Sequence, residues 1–223
     1  MFGQKHASRV GDSFTVKNDR GSRLLIISVP RNSHDEAKHV AAEVTNGRRP
    51  RTVGIELPMD YEEREAAGIR ASIFSEIAKS LKSNGIRVVP LETTECFNLA
   101  HAWNVAKKIE SGKTRIEDAR QIYESSRIGA DSLDPDLQAR SKRILDVFGR
   151  AISMFEKFKN DQEGFSKLLA SINQLQNTQI IAAARLHQVD TIIVSTTRAN
   201  EISKEFDTFT HLNSKKLETN PSV

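Results

Sequence analysis

Three short runs of β-branched and leucine residues, each closed by or interrupted at a proline and followed by a helical pattern, constrain this chain most. Leu24-Leu25-Ile26-Ile27-Ser28-Val29 ends at Pro30, Thr52-Val53-Gly54-Ile55-Glu56-Leu57 ends at Pro58, and Ile86-Arg87-Val88-Val89-Pro90-Leu91 runs to Glu92. Nearly continuous apolar runs of this length read as strands buried on both faces, the kind found in parallel sheets. Ser33 followed by Glu36 predicts a capped helix running to about Val44 and ended by Asn46-Gly47. Between Tyr61 and Ser83 the positions Ala66, Ile69, Ile73, Ile77 and Leu81 step by three and four, which predicts one helix ended by Asn84-Gly85. Strand, helix, strand, helix, strand with crossovers of this length implies right-handed connections and an α/β fold with an open, mostly parallel sheet.

Residues 95–187 contain no comparable run and read as helices. Asp134 before Pro135 predicts an N-cap with proline at the first helical position. Ile144, Phe148, Ala151, Phe155 and Phe158 form one apolar stripe, and Phe165, Leu168, Leu169, Ile172 and Leu175 another, as in an α-hairpin. Thr191-Ile192-Ile193-Val194-Ser195 is a fourth strand, followed by a loop and a short helix. The expected organisation is a flexible basic arm over 1–23, able to pair at a sheet edge, an α/β domain over 24–95 and 177–210, a helical insertion over 96–176, and a flexible tail over 211–223. Phe148, Phe155 and Phe165 on the insertion offer a surface for a homo-oligomer should nothing in the chain cover them.

The net charge is only +4, from 33 basic and 29 acidic residues. Its location is uneven, with ten basic against five acidic residues over 1–51, and 23 against 24 over 52–223. Arg48, Arg49 and Arg51 around Pro50 are the nucleic-acid candidates, because each basic group near a phosphate releases counterions. A solvated loop is the other reading of such a cluster. One cysteine, Cys96, excludes an intrachain disulfide and multi-cysteine metal sites, and suits a cytoplasmic protein. No apolar run approaches the roughly 18 residues of a membrane span, and the first twenty residues do not read as a signal peptide.

Ligands of open parallel sheets bind beyond the carboxyl ends of the strands. Arg31, Asn32, Ser33, His34, Glu56, Asp60, Glu92 and Arg198 fall in or beside those loops. Glu56 and Glu92 could hold a cation or divide acid and base roles; equally, one could cap a helix and the other pair with an arginine. No Gly-x-Gly-x-x-Gly and no Gly-Lys-Ser/Thr stands after the first strand, so dinucleotide and P-loop chemistry lack their phosphate cradle. A pairing of Cys96 with His101 as nucleophile and base has poor helical spacing, and a buried structural thiol is the plainer reading.

Several strings, in shared order, resemble the TraB/PrgY family within the wider Tiki-like, erythromycin-esterase-like group. Arg49-Pro50 before Val53-Gly54-Ile55-Glu56-Leu57 is similar to the family's "RPDVVAVEL", whose glutamate falls on Glu56. Gly68-Ile69-Arg70-Ala71-Ser72-Ile73 is similar to "EMRAAI", which places the family's arginine on Arg70. Leu91-Glu92 with Asn98-Leu99-Ala100-His101-Ala102-Trp103 is similar to "LDRPIEITLRRAW". The resemblance implies an α/β domain and a metal-dependent peptidase or esterase activity resting on two Gly-x-x-His loops and the glutamate. Here Val29-Pro30-Arg31-Asn32 and Ser195-Thr196-Thr197-Arg198 stand where those loops would be, so both histidines are missing. Arginine stays protonated and offers no lone pair to a metal. The expectation is therefore a TraB-like protein that has lost hydrolase activity and, with no cofactor, binds a small anionic ligand through Arg31, Asn32, Ser33, Arg70 and Arg198. Two alternatives stand beside it. One is an active hydrolase with a divalent metal, using His34, Glu56 and Glu92, and the other is an RNA- or ribosome-associated protein acting through the basic N-terminal region.

Overall fold

A computed structural model describes residues 13–17, 22–30, 34–47, 50–66 and 72–206. The protein has an α/β fold whose five-stranded sheet has the order β1-β2-β5-β3-β4. The strands are β1 (Ser13–Lys17), β2 (Arg23–Val29), β3 (Thr52–Pro58), β4 (Arg87–Glu92) and β5 (Thr191–Ser195). β5 is parallel to both its neighbours, aligning Ile192 with Ile26 of β2 and with Gly54 of β3. β1 pairs antiparallel with β2, setting Thr15 opposite Leu25. Residues 13–17 thus belong to the sheet, taking the edge-pairing option open to the N-terminal arm. Pro90 interrupts β4 without harm because β4 is the opposite edge, where a missing N–H breaks no ladder.

The helices are α1 (His34–Asn46), α2 (Tyr61–Ala66), α3 (Ile73–Ser83), α4 (Thr94–Glu110), α5 (Ile116–Ala130), α6 (Pro135–Phe158), α7 (Gln162–Leu186) and α8, over 196–206. The single helix expected over 61–83 is instead two. Ser72 is extended, and its hydroxyl accepts from the Ser75 amide, so α3 starts afresh with its own cap. Asn84 caps its end, and Gly85 follows at φ +75°, a conformation that favours glycine. Asp134 accepts from the amides of Asp136 and Leu137, with Pro135 opening α6, as the sequence predicts.

The chain divides into two compact units. The sheet unit comprises residues 1–57, 71–91 and 179–223. One core cluster joins Leu24 and Ile26 of β2, Ile192 and Val194 of β5 and Leu91 of β4 to Ile180, Ile181 and Ala184 of α7 and to Ala199, Ile202 and Phe206 of α8. By strand alternation Ile27 and Ile193 point the other way. α1 packs against β2 and against α3, whose Ile77, Ala78 and Leu81 are wholly buried. Asp190 fastens the start of β3, accepting from the amides of Arg51 and Thr52 and donating its own amide to the Thr52 carbonyl.

The helical unit comprises residues 58–70 and 92–178, so it takes in α2, which the sequence reading placed in the α/β domain. The reason is polar: Arg64 of α2 bonds to Asn98 of α4, and Asp60 pairs with Arg143 of α6. Its apolar cluster contains Trp103, Ala106, Val147, Ala151, Phe165 and Ile172, with Phe148, Phe155 and Phe158 packed against it. Phe165 stacks on Trp103 at 5.8 Å between ring centroids. Of the three phenylalanines offered as an oligomer surface, Phe165 is buried in this cluster, and Phe148 and Phe155 are partly buried against it. Among the described residues no helix is long and apolar enough to cross a membrane.

Gly54 allows β3 and β4 to approach. A Cβ there would lie 2.8 Å from the Leu91 Cδ1, and Leu91 is itself buried. Gly54→Ala is expected to lower the unfolding free energy by about 1–3 kcal/mol through overpacking, measured by urea denaturation with an unchanged m-value.

Candidate functional site

Two of the expected site residues meet in the sheet unit. Glu56 sits near the carboxyl end of β3, a fully buried strand, and Arg198 lies in the first turn of α8, directly after β5. The parallel register of β3 and β5 carries both strands toward the same end of the sheet, where Ser195 closes β5. There the Ser195 amide donates to Glu56 Oε2 at 2.6 Å, and Arg198 Nε lies 3.0 Å from Glu56 Oε1. The two side chains are 3% and 9% exposed. The Ser195 and Thr197 hydroxyls lie 3.3 Å apart beside them.

Chemically this arrangement is a buried, hydrogen-bonded ion pair. The carboxylate receives a donor on each oxygen, and the guanidinium receives a counter-charge, so neither is left as an isolated charge in a low-dielectric interior. It ties β3 to the β5–α8 junction, which is the arginine-paired alternative set out for Glu56.

The other candidates are placed differently. Glu92, the last residue of β4, belongs to the helical unit, where its buried Oε1 accepts from Gln176 Nε2 of α7 at 2.7 Å. His34 is the first residue of α1. Arg51 is exposed, and its backbone amide serves Asp190. Cys96 is buried, with its amide donated to the Thr93 hydroxyl that caps α4. Arg31, Asn32, Ser33, Arg48, Arg49 and Arg70 lie outside the described residues. Among the described residues, no group of three or more His, Cys, Asp or Glu side chains is arranged to hold a metal ion.

The helical unit holds a polar network that sequence reasoning did not assemble. Arg64 is its centre: Nε donates to Asp60 Oδ1 at 2.8 Å, Nη2 donates to Asn98 Oδ1 at 2.9 Å, and the guanidinium lies 4.9 Å from the centre of the Phe97 ring. Asn98 passes the chain on, donating to Asp146 Oδ2 at 3.1 Å, while Asp146 Oδ1 accepts from Arg150 Nε at 2.6 Å. Two segments of it are visible as acid-then-base spacings of four, Asp60 to Arg64 and Asp146 to Arg150. The Asn98 bridge between helices has no sequence signal. Burial opposes ionisation of Asp60, but hydrogen bonds from Arg64 and Thr94 and the charges of Arg64 and Arg143 outweigh it and hold the carboxyl below its ordinary value of 3.8.

No family model, curated protein or solved structure matches the chain.

Two outcomes are expected. Arg198→Met strands the buried Glu56 carboxylate and should cost about 3–5 kcal/mol, whereas the pair Glu56→Gln with Arg198→Met should recover most of it; a double-mutant cycle by chemical denaturation reads the coupling. Asp60 is depressed in the folded state, so its stabilisation is present above the unfolded value and lost as pH falls through the folded one. Asp60→Asn should therefore destabilise by about 1–3 kcal/mol at neutral pH, with the gap from the parent narrowing in acid below pH 3.8, followed by thermal unfolding across pH.

Proposed function

We propose that the chain is a TraB-like domain protein without metal-dependent hydrolase activity, acting as a binding or regulatory protein for a small anionic ligand. The observation that carries this reading is the Glu56–Arg198 pair. Glu56 is the residue on which the family's glutamate falls, and a carboxylate that serves a cation must offer it lone pairs. Here one oxygen accepts the Ser195 amide and the other faces a guanidinium. Arg198 stands in the Ser195-Thr196-Thr197-Arg198 segment that replaces the second Gly-x-x-His loop, so the substitution brings a permanent positive charge to the group that would otherwise attract a metal. The acid and the base cancel one another, and what remains beside them is the start of α8 with two hydroxyl groups, an environment that favours negative charge. Arg31, Asn32, Ser33 and Arg70 are the further anion-binding candidates of the same reading.

The test is thermal unfolding of the full chain with hydrogen exchange over 190–206. Phosphate or citrate should raise Tm and slow exchange in that segment, while EDTA and added zinc leave both unchanged. A zinc-dependent rise in Tm, or peptidase or esterase turnover that Glu56→Gln abolishes, would overturn the reading.

A further inference from the structure

Arg143 of α6, in the helical unit, carries a charge that its surroundings answer only in part. Its Nη2 lies 3.5 Å from Asp60 Oδ2, long for a hydrogen bond, and its Nη1 is buried without a hydrogen-bond partner among the described residues. The side chain is 17% exposed. Asp60 is shared, because its other oxygen holds Arg64 Nε at 2.8 Å and the carboxylate also takes the Thr94 hydroxyl. Of the other acids on these helices, Asp146 is held by Arg150 and Asn98, and Glu63, which also acts on Arg143, is exposed and screened by water. One carboxylate therefore stands between two guanidinium groups. Burial lowers the Arg143 pKa and the Arg64 charge lowers it further, against the pull of Asp60 and Glu63.

A guanidinium shielded from water with an unfilled Nη edge is costly, because each buried donor left unmade forfeits its hydration. The chemical group that completes such an edge is an oxyanion, whose two oxygens receive parallel bonds from Nη1 and Nη2. We propose that the Arg143 fork, beside Asp60 and Arg64, is a binding site for a small oxyanion of the carboxylate or phosphate class. Arg64 contributes charge and Asp60 contributes position, holding the two arginines of α2 and α6 side by side. The site lies in the helical unit and is independent of the Glu56–Arg198 reading.

Hydrogen exchange and thermal unfolding of the full chain in sodium phosphate, sodium acetate or sodium chloride at matched ionic strength test it. Phosphate or acetate, relative to chloride, should raise Tm and slow exchange in 60–66 and 139–147. Arg143→Lys keeps the charge and loses the fork, and should weaken the apparent affinity about tenfold or more. A response equal to the parent's in Arg143→Lys, no difference from chloride, or protection confined to 190–206 would each overturn the proposal, the last while leaving the anion reading of α8 intact. Should Arg143→Lys fail to fold, the exchange map of the unaltered protein decides alone.

Discussion

The sheet depends on a strand that arrives last. β5 lies between β2 and β3, so the hydrogen-bonding edges of both stay unmatched until the chain has passed through the helices between Glu92 and Thr191 and returned. Closing that distance costs chain entropy before any pairing is made, and such non-local pairing is slow compared with local helix formation. Once β5 is seated, everything at the carboxyl end follows from it. Ser195 presents its amide to Glu56, α8 starts at once, and Arg198 reaches the same carboxylate. The buried ion pair is a product of β5 insertion, and it ties β3 to the first turn of α8.

The elements with strong local logic were legible in the sequence. β2, β3, β4 and β5 are apolar runs bounded by turn residues, and α6 begins at the Asp134-Pro135 pair because that chemistry needs no tertiary support. The break between α2 and α3 was hidden, since the apolar spacing runs across it and the deciding feature is one serine hydroxyl at Ser72. β1 was missed for a different reason: Ser13-Phe14-Thr15-Val16-Lys17 alternates polar and apolar residues, but five residues within a polar stretch are too short a pattern to separate a strand from a loop, and the pairing with β2 defines it. Of the site, the sequence located Glu56 and Arg198 at converging loops but left open whether they pair. The register of β3 and β5 decides that, and register is a property of the assembled sheet.

The helical unit shows how charge can specify an arrangement that apolar patterning leaves loose. Stripes of leucine and phenylalanine bring helices together, yet many rotations satisfy them about equally. The chain Asp60, Arg64, Asn98, Asp146, Arg150 allows fewer, because two of its links, Arg64 to Asn98 and Asn98 to Asp146, run from one helix to another and hold only where both partners meet. This explains why six-residue α2, too short to be stable alone, has a defined place.

Pro90 carries a consequence beyond its tolerance in β4. An outer strand offers a row of unpaired amides and carbonyls to any extended segment that drifts past, including another copy of the same chain, and that is how many sheet proteins begin to assemble into fibres. By deleting one donor in a six-residue strand, Pro90 leaves that row broken near its middle. At the opposite margin β1 is only five residues long, with Ser13 and Thr15 exposed to water, and offers a short template. Among the described strands, both margins are thereby poor acceptors for a foreign strand.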